Sequence, residues 1–122
     1  MSDLPAFRFF FGDAERSFRL TPELVGELER LTSTGIGGFT RRFFQGDFRL
    51  ADLHAVIRLG LIGGGEAPKE ADALVSAYAV PRPVMEIFPL ALGILEILMF
   101  GTVQDTAGGA EIPTVGNSEE PA

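Results

Sequence analysis

The chain has no cysteine and a single histidine, His54, among its 122 residues. Without cysteine there is neither a disulfide framework nor a thiolate metal site. Zinc chemistry would need further ligands, and a catalytic serine would need a glycine-flanked elbow that the sequence does not contain. We therefore interpret His54 as a half-exposed helical histidine, and we predict a protein that is not an enzyme and uses no metal or cofactor.

Phosphate-binding loops are also missing. The glycine clusters Gly35–Gly38 and Gly63–Gly65 lack the Lys-Ser/Thr pair of a P-loop and the spacing of a dinucleotide fingerprint. We expect both clusters to be caps and turns. Carboxylates such as Glu27 and Glu29 are two residues apart on a predicted helix, so they do not share a face and form no acid dyad.

Positive charge is scarce. The formal net charge is -7, and no lysine or arginine follows Gly101. Binding to a nucleic acid backbone needs a basic surface that releases counterions, so no nucleic acid partner is expected. Residues 102–122 are acidic, contain glycine and proline and have no hydrophobic period, which predicts a disordered acidic tail. Residues 1–101 then form a single small domain.

No basic segment followed by an apolar core stands at the start of the sequence, so a cytoplasmic protein without a secretory signal is expected. One long apolar run, Pro83–Phe100, carries only Glu86 and Glu96 as charges. Its length approaches that of a membrane span, but it also contains Pro89, and no Lys or Arg cluster follows it. We expect no membrane contact and a helix buried by its own domain or by a partner chain.

The N-terminal segment has the alternation of a β-hairpin at about residues 6–20. Phe7, Phe9 and Phe11 alternate with other residues, a turn is predicted at Gly12–Glu15, and alternation resumes at residues 17–20. Two strands alone are marginally stable in water. The aromatic face of the hairpin must therefore lie on helices or on another sheet edge.

Helical periodicity and chain breakers predict five helices at about residues 22–33, 37–45, 50–62, 68–79 and 84–100. Thr21-Pro22-Glu23 supplies an N-cap hydroxyl, a proline at the first helical position and an acid near the positive end of the helix dipole. The residues predicted to face the core include Leu31, Phe44 and Leu50. The predicted fold class is α+β, mostly α, with an N-terminal β-hairpin packed on a small bundle of four to five helices.

Several of these pieces together resemble a known family. They are Phe18–Thr21 at the end of the hairpin, the helix Pro22–Glu29, the step Phe48–Leu53 and the glycine-rich end Gly60–Gly65. In this combination the chain resembles the gene transfer agent tail proteins that are related to phage tail-assembly chaperones, over about residues 7–100. The resemblance implies a non-enzymatic assembly chaperone or accessory factor that binds tape-measure and tail-tube subunits. It transfers no binding residue.

Partner binding has two candidate locations. The first is a set of apolar residues on the last helix: Met85, Phe88, Leu92, Leu95 and Met99. The same residues fit a hydrophobic core equally well, and in that case the open edges of the hairpin are the candidate. A structural tail component retained in the particle, and a homo-oligomeric interaction module held together by the last helix, are alternative functions.

Overall fold

Two strands and five helices follow one another in the computed structural model, which describes residues 4–103. The strands are β1 (Phe7–Phe11) and β2 (Ala14–Phe18). The helices are α1 (Pro22–Thr32), α2 (Ile36–Phe44), α3 (Leu50–Gly63), α4 (Pro68–Tyr78) and α5 (Val84–Phe100). The predicted α+β, mostly α, fold class is confirmed. Residues 104–122 of the predicted acidic tail lie outside the described range, so the domain boundary near residue 101 stays a prediction.

The hairpin closes through a shorter turn than the sequence suggested. β1 and β2 pair antiparallel, from Phe7 opposite Phe18 to Phe11 opposite Ala14. Gly12 and Asp13 alone make the turn, and Gly12 has a left-handed φ of 73°. Two-residue turns of this kind match the twist of paired strands, and glycine adopts the positive φ without strain. The predicted turn through Glu15 is therefore wrong, because Ala14 and Glu15 already belong to β2.

Helix α1 begins as its sequence predicts. The Thr21 hydroxyl accepts a hydrogen bond from the backbone N–H of Leu24 at 3.3 Å, and Pro22 occupies the first turn. The helix ends at Ser33, which is left-handed with a φ of 58°. This capping fixes the point at which the chain leaves the hairpin and enters the helical part of the fold.

The hairpin is attached to the end of α3 through its backbone. The Arg19 N–H donates to the Gly60 carbonyl at 3.0 Å, and the Arg19 guanidinium donates to the Gly63 carbonyl at 3.2 Å. A Cβ atom at Gly63 would overlap the Arg19 carbonyl, and one at Gly64 would overlap the Ser17 carbonyl. The two glycines therefore allow the β2 edge to lie directly against the helix end.

Helix α3 lies at the centre of the core. It contacts α1, α4, α5 and β2, and its buried apolar residues are Leu53, Val56, Ile57, Leu59 and Leu61. The aromatic face of the hairpin packs on α5, where the Phe7 ring occupies the space that a side chain at Gly93 would fill. The prediction that this face lies on helices is confirmed.

Three residues predicted to face the core are exposed instead: Leu31, Phe44 and Leu50. On α1 the core position one turn after Leu28 is taken by Thr32, whose hydroxyl donates to the Leu28 carbonyl at 2.8 Å. This hydrogen bond removes the cost of burying the threonine, and Leu31 turns outward. Phe44 follows the buried Phe43, while Leu50 is the first residue of α3 and precedes the part of that helix that packs.

Helix α5 fulfils the expectation of burial within the chain for most of its length. Its apolar residues Ile87, Leu90, Ala91, Ile94 and Leu95 are buried. Within residues 4–103, none of the helices combines the length and the apolar character needed to cross a membrane.

Gly64→Ala is expected to destabilise the protein by about 1–3 kcal/mol, because the added methyl group meets the Ser17 carbonyl and must displace β2 from α3. Gly26→Ala is the matched control. Gly26 lies inside α1 with open space around its Cα, so alanine there should stabilise by about 0.5–1 kcal/mol. Urea denaturation followed by circular dichroism measures both. Equal stability of the two variants would show that the backbone contact does not hold the hairpin.

Candidate protein-binding surfaces

The structure separates the five α5 residues that the sequence offered as a partner-binding set. Leu95 is fully buried, with 0% of its surface exposed, and Phe88 and Leu92 are half-buried. Met85 and Met99 are 68% and 40% exposed. Leu95 is therefore a core residue and forms no part of the surface, which corrects the prediction for that position. Partner binding by the other four stays a prediction.

Helix α2 packs on this side of α5. Residues four apart on α5 form one ridge, which consists of Phe88, Leu92, Glu96 and Phe100. The Phe43 ring stacks on Phe88 with 5.4 Å between centroids, and the Phe44 ring stacks on Phe100 at 6.2 Å. Helix α2 thus contacts both ends of the ridge through these rings. Between them, Leu92 is half-buried and Glu96 is buried.

The outer face of α5, defined as Met85, Met99 and Phe100, is apolar and exposed, although the Phe100 ring also stacks on Phe44 of α2. Met85 and Met99 are separated by about 21 Å along the helix axis. The outer face is therefore two apolar spots near the ends of the helix, and it offers no continuous seam for a second helix. Methionine side chains are flexible and adapt to partners of different shape.

A second surface runs along β1. In an antiparallel pair, hydrogen-bonded and non-hydrogen-bonded residue pairs alternate, and the two-residue turn makes Phe11 and Ala14 a bonded pair. The backbone N–H and C=O groups of Arg8 and Phe10 therefore point away from β2. Within residues 4–103, no backbone hydrogen bond outside the regular elements involves either residue. This edge of the sheet is open.

The opposite edge, on β2, is covered by the chain itself. The same alternation points the backbone groups of Ser17 and Arg19 away from β1, and these groups meet the end of α3. The Arg19 N–H is bonded to Gly60, and the Ser17 carbonyl lies against Gly64. The hairpin thus has one edge that the end of α3 covers at Ser17 and Arg19 and one edge that is open.

A groove of 280 Å³ follows the open edge. On one side it is lined by β1 and its turn, from Phe9 to Gly12, and on the other by the end of α4 and the start of α5. These further lining residues are Tyr78, Arg82, Glu86, Ile87 and Leu90. The Phe10 side chain at its rim is 64% exposed. We call this surface the edge groove.

The edge groove carries no excess charge. Its charged lining residues, Arg82 and Glu86, form an ion pair at 3.2 Å. Arg8 on the solvent side of β1 is paired with Glu15 of β2 at 3.0 Å. Exposed pairs of this kind contribute little to stability. Their effect on the surface is to leave an apolar channel between neutralised charges.

The charged neighbours of His54 on α3 have structural partners. Burial on α3 lowers the pKa of His54. The buried Asp52 carboxylate accepts hydrogen bonds from the Arg49 N–H at 3.0 Å and the Arg49 guanidinium at 3.2 Å, and Arg58 pairs with Asp72. In residues 4–103, no group of three or more histidine and acidic side chains is placed to hold a metal ion. The chemistry of this region is that of a capped helix with paired charges.

The comparison with known protein families gives one match. A family model described as "phage tail tube protein, GTA-gp10" matches residues 5–101, which contain all seven secondary-structure elements. The chain belongs to this family of phage and gene transfer agent tail proteins. The resemblance read from the sequence is thereby confirmed. Searches among curated proteins and among solved structures found no match. The family description names a tail protein and not a class of enzyme.

The edge groove of this tail protein was only partly visible in the sequence. The alternation of phenylalanines predicted a hairpin with open edges, but it could not tell which edge the chain would cover. The groove lining from Tyr78 to Leu90 carries no motif, since its residues come from the end of one helix and the start of the next. The glycines at the end of α3 were the one sequence signal for the covered edge. Glycine often marks a position where another backbone segment approaches closely, and here Gly63 and Gly64 lie against the β2 edge.

Leu95→Asp is expected to unfold this tail protein. A carboxylate at a fully buried apolar position costs several kcal/mol, a large share of a total stability of about 5–15 kcal/mol. The matched variant Met85→Asp places a carboxylate on the exposed first turn of α5, near the positive end of the helix dipole, and should change stability by less than about 0.5 kcal/mol. Circular dichroism with urea denaturation reads both. A folded Leu95→Asp would contradict the assignment of this residue to the core.

Stability should depend on pH through His54. Because burial lowers its pKa in the folded chain, the unfolded chain binds more protons below about pH 6.5. The free energy of unfolding should therefore fall as the pH decreases from about 6.5 through the lowered pKa. His54→Gln should flatten that part of the curve and leave the loss caused by carboxylates at lower pH unchanged. Urea midpoints across the range test this, and an unaltered slope in the variant would exclude His54 as the cause.

Proposed function

We propose that this tail-family protein is a non-catalytic assembly chaperone or accessory factor that binds tape-measure or tail-tube subunits in the cytoplasm before they enter the tail. The observation that carries the proposal is membership of a tail family together with two exposed apolar surfaces on one small fold. Subunits that await assembly expose apolar surface, and a factor that covers such surface needs apolar groups of its own.

The outer face of α5 suits transient binding. Met85 and Met99 are unbranched and exposed, so they can adapt their packing to partners of different shape. Their separation at the two ends of α5 favours a partner that touches the helix at two points. Apolar contacts of this limited extent are released more easily than a continuous core-like interface, as a chaperone cycle requires.

A structural tail component retained in the particle is the second candidate function. The family description, which names a tail tube protein, favours it. Mass spectrometry of purified particles distinguishes the two, because a structural component is present in fixed proportion to the tube and a chaperone is absent. A homo-oligomeric module is the third candidate, and light scattering of the purified chain tests it.

The double variant Met85→Gln/Met99→Gln is expected to weaken capture of purified tape-measure or tail-tube protein by roughly tenfold, which corresponds to about 1.4 kcal/mol, because a polar amide replaces the apolar end of each anchor. Glutamine keeps the length and helix propensity of methionine. Leu31→Gln/Leu50→Gln, at exposed apolar positions on α1 and α3, is the matched control and should bind normally. Titration calorimetry measures both.

Two results would count against this proposal. If neither tail subunit binds the unaltered chain, the assembly role is wrong. If the subunits bind the unaltered chain and only the control variant weakens that binding, the assembly role stands. Its assignment to the outer face of α5 is then wrong.

A further inference from the structure

The open edge of β1 has the geometry of a site for strand addition. The backbone groups of Arg8 and Phe10 point away from β2 along the open edge, where Phe10 also lines the edge groove, and together they offer two N–H donors and two C=O acceptors. A segment in extended conformation would satisfy all four and extend the hairpin to three strands. Three strands with an apolar face are more stable than two, so the fold itself gains from the addition.

The edge groove determines which side chains the added strand would carry. Side chains along a strand alternate between the two faces of the sheet. On the inner face of β1, Phe9 lies beside Ile87 and Leu90 of α5, which line the groove. Every second residue of an added strand would therefore point towards this apolar wall, and the residues between would lie beside Phe10 in solvent.

The paired charges around the edge groove favour an occupant that carries no charge. Arg82 and Glu86 neutralise each other in the groove wall, and Arg8 is neutralised by Glu15. A charged side chain buried against Ile87 and Leu90 would find no counterion among these groups and would keep its desolvation cost. The groove is therefore complementary to an apolar segment without net charge.

The size of the site favours a single extended segment over a folded copy of this chain. The edge groove is lined by nine residues, far fewer than the roughly 20–30 residues on each side of a stable interface of standard size. Strand addition works at this scale because backbone hydrogen bonds supply the affinity and alternate side chains supply the specificity.

We propose that the edge groove takes an extended, uncharged segment of alternating apolar residues from a tail subunit, which pairs with β1 as a third strand. This inference rests on the proposed assembly function and names the mode of binding. It is independent of the outer face of α5, whose variants leave β1 unchanged.

The test uses the full chain and a purified tail-tube or tape-measure protein from the same tail gene cluster, with overlapping synthetic peptides of both as probes. Amide hydrogen exchange is followed by NMR. Binding of the subunit, and of at least one uncharged apolar peptide, should slow exchange at Arg8 and Phe10 by roughly tenfold or more. Exchange at Glu15, on the other strand, should not change.

Proline variants isolate the backbone contribution. Phe10→Pro removes an outward-facing N–H without breaking the pairing of β1 with β2, and proline is tolerated at strand edges. Phe10→Ala removes the side chain and keeps the N–H. Phe10→Pro should bind roughly tenfold more weakly than Phe10→Ala, whereas Glu15→Pro, the matched proline on the other strand, should bind normally. Arg8→Pro repeats the test at the second outward-facing residue.

Several outcomes would overturn the inference. Subunit binding with unchanged exchange at Arg8 and Phe10 would leave the assembly function standing and reject strand addition. These amides could also be protected in the unliganded chain. If that protection is lost at high dilution, a second copy of the chain is the partner that pairs with the edge. Protection that is lost when residues 104–122 are deleted would assign it to this chain's own C-terminal segment. If the subunit and all the peptides fail to bind, the inference and the proposed function fall together.

Discussion

The close backbone contact between β2 and the end of α3 governs how the other elements are arranged. Gly63 and Gly64 let the carbonyl groups of Ser17 and Arg19 approach a helix end that any side chain would block. The contact orients the hairpin on α3, lays its phenylalanine face on α5 and covers one edge of the sheet. The other edge stays open, so the glycines that end α3 also decide which edge of the hairpin is covered.

A second arrangement, the packing of α2 on α5, decides how much apolar surface is left for partners. Stacked rings join Phe43 to Phe88 and Phe44 to Phe100. The most apolar segment of the chain therefore serves mainly as core. Its large exposed apolar side chains, among them Met85, Met99 and Phe100, lie near its ends. The hairpin, the end of α4 and the start of α5 together line the edge groove. Membership of a tail family gives these surfaces a context, because tail proteins act by contacting one another.

Much of the fold followed from local rules, and the failures have identifiable causes. The five helices and the cap at Thr21 were predicted because periodicity, proline and glycine act within a few residues of each other. Leu31 was misassigned because the helical periodicity of apolar residues does not show a buried polar side chain. Thr32 takes the core position, and its hydroxyl donates a hydrogen bond to the Leu28 carbonyl. The turn was drawn too long because alternation alone does not reveal that Gly12 adopts a positive φ. Of the predicted binding set, Met85 and Met99 are exposed, whereas Leu95 is not.

Residue type and local spacing were sufficient to place the helices and strands, to show that Val84–Phe100 needs burial and to exclude cysteine chemistry. They could not show what buries that helix or which edge of the hairpin stays open. Both outcomes depend on contacts between segments far apart in the chain, such as Ser17 with Gly64 and Phe43 with Phe88. Periodicity marks a face as apolar, but the neighbour that covers it is set by how the elements pack.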